Sequence, residues 1–166
     1  MSKIGIYFGS STGNTQDAAE TIASQLGVSS SDIHDVSSAK ADFSNYDVLL
    51  FGSSTWGLGD LQDDWEGFIG KASSADLNGK KVAIFGCGDS ASYSDTFCDA
   101  IGKIYQAVER KGCAIIGRVS DDGYSYSSSE AFVDGKFVGL PLDADNESDK
   151  TNERISAWVS QIKGEI

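Results

Sequence analysis

The sequence predicts an α/β fold in three layers, a parallel sheet with helices on both faces. Three observations lead there. Short, continuously apolar runs recur along the chain, as strands covered on both sides require. Between them the apolar spacing changes to the helical period. Three of the runs also end in small, polar, glycine-bearing loops, the composition of strand-to-helix turns.

Taken in order, Ile4-Gly5-Ile6-Tyr7-Phe8 is the first strand, and Ala18, Ala19, Ile22, Ala23 and Leu26 share one face of the helix after it. Residues 33–36 form a shorter, weaker strand. Val48-Leu49-Leu50-Phe51 is the third strand, followed by a short helix at Trp65, Phe68 and Ile69. Val82-Ala83-Ile84-Phe85 is the fourth. Phe97, Ile101, Ile104, Tyr105 and Val108 mark the next helix, residues 113–116 the fifth strand, and Ile155, Trp158, Val159 and Ile162 the last helix. Strands alternating with helices imply right-handed crossovers and hence parallel strands. Residues 118–139 break the rhythm. They are rich in Ser, Asp, Gly and Tyr, and a structureless loop of that length is unusual in a compact domain. They read as an insertion with some extended structure of its own, within a single domain spanning residues 1–166.

A chain of 166 residues suits one domain with a substantial core. Its 13 basic and 25 acidic residues give a net charge of −12, which argues against nucleic-acid and anionic-membrane partners and permits a basic protein partner. No apolar run is long enough to span a membrane. Met1-Ser2-Lys3 leads straight into a strand with no secretory leader pattern, so a cytoplasmic protein is expected. Cys87, Cys98 and Cys113 have neither even number nor metal-site spacing and read as reduced thiols.

The chemistry lies in the strand-end loops. Phe8-Gly9-Ser10-Ser11-Thr12 recurs as Phe51-Gly52-Ser53-Ser54-Thr55, and a third strand ends Phe85-Gly86-Cys87-Gly88. In a parallel sheet all three ends lie on one edge, where open α/β sheets bind ligands. Ser10, Ser11, Thr12, Gly13, Asn14 and Thr15 offer hydroxyls, an amide and backbone N–H groups at a helix N-terminus, a cradle for phosphate. The loop has no Lys or Arg and no nucleoside-triphosphatase pattern, so it suits a resident phosphate. Trp56 and Tyr93 sit in the other two loops and can sandwich a planar ring. The three loops together predict a phosphate-bearing aromatic cofactor. N-capping and ordinary packing account for each loop separately but not for all three.

These residues resemble the flavodoxin family, specifically its long-chain group. The carriers are Gly9-Ser10-Ser11-Thr12-Gly13-Asn14-Thr15, Ser54-Thr55-Trp56-Gly57, Gly86-Cys87-Gly88-Asp89 with Tyr93, and the stretches Gly135-Lys136-Phe137-Val138-Gly139-Leu140 and Leu142-Asp143-Ala144-Asp145-Asn146. The resemblance covers nearly the whole chain. It implies a flavodoxin-like five-stranded parallel sheet in the order 2-1-3-4-5, with the insertion splitting the last strand, and non-covalently bound FMN. It places the phosphate on Ser10, Ser11, Thr12, Gly13, Asn14 and Thr15, and the ring between Trp56 and Tyr93. Ser54, Thr55, Gly57, Leu58, Cys87, Gly88 and Asp89 line the ring or ribityl chain, with Phe97 and Cys98 also expected at the site and Asp145 toward the ribityl side. Asn14 stands where some relatives carry Lys, and Cys87 where others have Thr. No catalytic residue and no metal ligand is implied, and His34 reads as structural.

The implied function is that of a low-potential one-electron carrier, shuttling between semiquinone and hydroquinone. It would exchange electrons with basic redox proteins such as ferredoxin/flavodoxin reductases and low-potential oxidoreductases rather than act as an enzyme. A monomer is expected, since the sequence leaves no obvious apolar surface stripe over. A Gly57 carbonyl accepting a hydrogen bond from reduced flavin would favour the half-reduced state, glycine tolerating the required backbone change. Asp42, Asp47, Asp60, Asp63, Asp64 and Glu66, then Asp89, Asp95 and Asp99, fall in two stretches without a base, so negative charge is expected around the ring. The competing reading is an FMN-dependent NAD(P)H or quinone reductase on the same fold, which needs an open ring face. Dinucleotide binding at Gly86-Cys87-Gly88-Asp89-Ser90-Ala91 lacks an acidic residue ending the next strand. A phospho-receiver module lacks the acidic pair after the first strand.

Overall fold

The computed structural model describes residues 3–56 and 58–166. β1 (Ile4–Gly9) leads through α1 (Asn14–Leu26) to β2 (Ile33–Asp35), and turns carry the chain on to β3 (Val48–Trp56). β4 (Asp60–Leu61) and α2 (Asp63–Ser74) precede β5 (Lys81–Cys87), and α3 (Asp99–Val108) precedes β6 (Ala114–Ile116). A small hairpin, β7 (Phe132–Val133) and β8 (Lys136–Phe137), is followed by β9 (Leu140–Leu142) and α4 (Thr151–Lys163).

The main sheet has the order β2-β1-β3-β5-β6, and these pairings are all parallel. The fifth position is built from two pieces. Ala114 and Ile116 lie opposite Lys81 and Ala83, while Leu140 and Leu142 lie opposite Phe85 and Cys87. The insertion separates them. Its return is possible because Gly139 crosses so close to Ile84 that a Cβ would lie 2.9 Å from the Ile84 carbonyl carbon.

Alternation along each strand builds two cores. Tyr7, Leu49, Phe51, Val82 and Ile84 face α2 and α3 and pack with Trp65, Phe68, Ile101 and Ile104. Ile6, Phe8, Val48, Leu50, Ala83 and Phe85 face α1 and α4 and pack with Ala19, Ile22, Ile155 and Trp158. The parallel sheet thus leaves both faces covered and its carboxyl edge free for loops.

Two features differ from the sequence expectation. β3 runs beyond the apolar segment and turns back antiparallel onto β4, pairing Trp56 with Asp60. Phe97 stands outside α3, because Cys98 has left-handed backbone (φ 52°) and breaks the helical pattern before Asp99. The insertion holds this irregular segment: Ser127 and Ser128 donate N–H groups to the Ser94 carbonyl at 3.0 and 3.1 Å, and Phe97 donates to the Ser128 carbonyl at 3.2 Å.

Candidate functional site

The loops after β1, β3, β5 and β9 surround a cleft of about 200 Å3 at the carboxyl edge of the sheet. Thr12 and Asn14 line it from the first loop, Ser54, Thr55 and Trp56 from the second, Cys87, Gly88, Asp89 and Tyr93 from the third, and Asp145 from the last. All ten were singled out from the sequence, and the fold brings them together. The order reversal between β1 and β3 creates the crevice that such sheets use for ligands.

The first loop ends at Gly13, whose φ of 97° closes the turn into α1 and leaves the helix without a side-chain cap. The Ser10 hydroxyl accepts from the Gly13 N–H at 3.0 Å, folding the loop over itself. Thr15 is fully buried, and its Oγ1 has no partner besides the neighbouring Cys87 thiol. Ser10, Ser11, Gly13 and Thr15 shape the loop and the helix start, and Ser11 lines an adjoining hollow with Trp56 and Asp63.

The second loop presents Trp56, 40% exposed, with its indole Nε1 donating to the Ser54 hydroxyl at 2.9 Å. Thr55 Oγ1 accepts from the Ala100 N–H at 3.1 Å, which ties the end of β3 to the first turn of α3. Gly57, the expected carbonyl acceptor, lies outside the described residues. Leu58 is 84% exposed and is not among the residues lining the cleft. The third loop offers Tyr93, 45% exposed. Two aromatic plates from different loops thus border one cleft.

Phe97 and Cys98 are buried and do not line the cleft. They pack beneath it: a Cβ on Gly88 would meet Cys98 Sγ at 2.8 Å and Phe97 Cδ1 at 3.2 Å. Burial pushes the Cys87 thiol up to about 11, with the Thr15 hydroxyl acting in the opposite direction and Asp145, Asp143 and Asp17 reinforcing the rise. Cys87 is therefore a neutral wall of the cleft, not a nucleophile. Asp89 is held below the usual carboxylate range chiefly by the Ser92 backbone N–H, so it carries its charge on the rim. Asp63, Asp64 and Glu66 occupy the first turn of α2 at the same edge. The base-free stretch acquires one base through folding, since Lys103 comes within 3.9 Å of Asp60.

Sequence reading missed Gln62, and it placed Ser90, Asp143 and Asn146 within the loop stretches without giving them a role. Gln62 and Asp143 are buried polar residues, 2% and 0% exposed. Gln62 donates its Nε2 to Ser11 Oγ at 3.1 Å, under the first loop. His34 is structural as expected: its ring stacks on Tyr7 at 4.6 Å, and Nε2 shares a 2.8 Å hydrogen bond with the Tyr46 hydroxyl.

Comparison with known proteins agrees with this geometry. The family model described as Flavodoxin matches residues 6–158. A Nostoc flavodoxin is 45% identical over 165 residues, covering 99% of this chain and 97% of that protein. Flavodoxin 1 of Escherichia coli is 44% identical over 168 residues, covering 100% and 96%. A crystal structure of a Fusobacterium nucleatum flavodoxin mutant bound to flavin mononucleotide superimposes with a TM-score of 0.92 at 30% identity, covering 100% of this chain and 98% of that one. With its split fifth strand, its three polar strand ends and these relatives along its whole length, the chain belongs to the flavodoxin family.

Proposed function

We propose that this chain binds FMN non-covalently in the cleft and works as a one-electron carrier between redox proteins. One observation carries the reading: the N-terminus of α1, which has no side-chain cap, opens beside a cleft bordered by two aromatic plates. The first-turn N–H groups of a helix have no partner within the helix, and a phosphate in the first loop would supply acceptors. The donor set fits a phosphate ester. It is neutral, built from hydroxyls, the Asn14 amide and first-turn N–H groups, with the helix dipole in place of a basic side chain.

When bound, FMN supplies the electron chemistry, and the protein supplies orientation and electrostatics. Ser10, Ser11, Thr12, Gly13, Asn14 and Thr15 would hold the phosphate. Trp56 and Tyr93 would cover the two ring faces. Ser54 fixes the indole, and Cys87, Gly88 and Asp89 would form the remaining wall, with Asp145 on the ribityl side. Ionised carboxylates on the rim disfavour added negative charge within the cleft, which supports a low potential. A ring covered on both faces leaves an edge for electron exchange and no room for a stacked nicotinamide or quinone, which favours a carrier over a reductase. The same acidic rim suits basic redox partners such as ferredoxin/flavodoxin reductases and low-potential oxidoreductases.

The purified protein is expected to be yellow, with flavin absorption bands, and its cofactor-free form should quench the fluorescence of added FMN at a one-to-one end point. NADPH alone should leave the visible spectrum unchanged until a reductase is added. A colourless protein that leaves FMN fluorescence intact would refute the assignment.

A further inference from the structure

The third loop, carrying Asp89 and Tyr93, and the turn after β9, carrying Asp145, are joined through one buried carboxylate. Asp143 is fully buried. Its Oδ2 accepts from the Ser90 hydroxyl and from the Ser90 N–H, the latter at 3.3 Å. Its Oδ1 accepts from the Asn146 N–H at 3.2 Å and from Asn146 Nδ2 at 2.9 Å. The same Nδ2 donates to Asp89 Oδ1 at 2.8 Å. That oxygen also accepts from the Ala91 and Ser92 N–H groups at 3.1 and 2.9 Å, and the Tyr93 N–H closes onto the Asp89 carbonyl at 2.9 Å. A continuous chain of hydrogen bonds therefore runs from the end of β9 to the backbone of Tyr93.

The chemistry of this chain is unusual. It places two carboxylates on one amide, and among the described residues neither Asp143 nor Asp89 takes part in an ion pair. A buried carboxylate is tolerated only when its lone pairs are filled by donors, and here all of those donors come from the two loops. The strands beneath end their pairing at Cys87 and Leu142, extended only by the Gly88 N–H donating to the Leu142 carbonyl at 2.9 Å. Beyond that point the brace is what ties the two walls together. Removing the amide would leave two carboxylates facing each other without a donor between them, so the loops would separate.

We infer that Asp143 and Asn146 are positioning residues, which set the spacing between the Tyr93 and Asp145 walls of the cleft and so prepay the ordering that FMN would otherwise have to impose. This rests on the FMN reading. Neither residue needs to touch the cofactor. Their effect passes through Ser90 and Asp89 to the aromatic plate.

The test uses full-length protein with Asn146→Ala, and Ser90→Ala as a second variant that removes one donor to Asp143. FMN is titrated into the cofactor-free proteins, and backbone amide exchange is measured without FMN. Each variant should bind FMN about tenfold more weakly. Ala91 and Ser92 should exchange faster while β1 and β3 amides keep their protection, and the visible circular dichroism of the bound flavin should change. Affinity within about twofold of wild type in a folded variant overturns the inference. So does weaker binding with unaltered exchange at Ala91 and Ser92. If Asn146→Ala does not fold, Ser90→Ala decides by the same criteria. Wild-type protein that ignores FMN refutes the cofactor reading itself, a result distinct from variants that bind as well as wild type.

Discussion

Gln62 Nε2 and Ser11 Oγ lie 3.1 Å apart, joining the start of α2 to the loop after β1. Gln62 also accepts from the Asp64 N–H at 3.0 Å through Oε1 and donates its own N–H to Ser53 Oγ at 3.2 Å. One buried amide thus caps a helix and supports the polar loop. Gln62→Leu removes both side-chain functions. It should weaken FMN binding about three- to tenfold, the value of roughly one hydrogen bond to an ordered loop. Fluorescence titration of the cofactor-free protein checks it, and unchanged affinity would mean that the loop is ordered without this contact.

Trp56 and Tyr93 are the large exposed aromatics that border the cleft. Because they are about half exposed, truncation should hardly alter the stability of the cofactor-free protein. Stacking contributes about 0.5–1.5 kcal/mol beyond area burial, so Trp56→Ala or Tyr93→Ala should weaken FMN binding by at least about fivefold. Titration with FMN and thermal unfolding of the cofactor-free variants separate the two effects. A large fall in unfolding temperature with intact affinity would show that the rings serve the fold and not the cofactor.

Trp65 gives the opposite pattern. It is fully buried, and its Nε1 donates to the Gly52 carbonyl at 2.6 Å, fastening α2 to β3. Trp65→Phe leaves that carbonyl without its donor and opens a cavity. Together these should cost about 2–4 kcal/mol. Denaturant unfolding of the cofactor-free protein measures it, and a loss below about 1 kcal/mol would show that the site repacks.

Each part of this architecture was legible in the sequence to the extent that it repeats. β1, β3 and β5 announce themselves because both faces of each strand are buried, which leaves continuous apolar runs. α1 and α4 do so through their single apolar stripe. The cleft loops were visible because the same Phe-Gly-Ser-Ser-Thr string ends two strands. Gln62 was not visible, and Asp143 and Asn146 stood in a stretch that carries the resemblance without their role being visible, because a lone polar residue has no period and the partners come from other loops: Ser11 is 51 positions from Gln62, and Asp89 is 57 from Asn146. Phe97 misled for a related reason. It keeps helical spacing with Ile101 and Ile104 yet stands outside α3, since the left-handed turn at Cys98 carries no pattern of its own.

His34 makes stability pH-dependent. Its ring is partly buried against Tyr7, and desolvation holds its pKa below 6.5, with Asp32 opposing the shift. A histidine whose folded pKa is depressed binds its proton more readily when unfolded. Stability is therefore complete above 6.5 and is lost as the pH falls through that value toward the lower folded pKa. Between about pH 7 and pH 5 the unfolding temperature should decline in wild-type protein and stay nearly level in His34→Phe. Equal slopes in the two proteins would place the titrating group elsewhere.

Charge around the cleft has a kinetic consequence. Asp63 and Glu66 in the first turn of α2 are exposed, Asp89 and Asp145 line the cleft, and the chain as a whole carries −12. A basic partner approaching this edge feels attraction over a Debye length, about 30 Å at 0.01 M salt and about 8 Å at 0.15 M. Steering accelerates encounter while contributing little to the fitted complex. The rate of electron exchange with a basic reductase should therefore fall steeply as salt rises across that range. Asp63→Asn with Glu66→Gln should slow the reaction several-fold at low salt and leave it nearly unchanged at high salt, because both exposed side chains act on the partner through their charge at a distance. Stopped-flow mixing of the FMN-loaded protein with reduced reductase reads both effects. A rate indifferent to salt would mean that the acidic edge serves solubility, and that some other surface receives the partner.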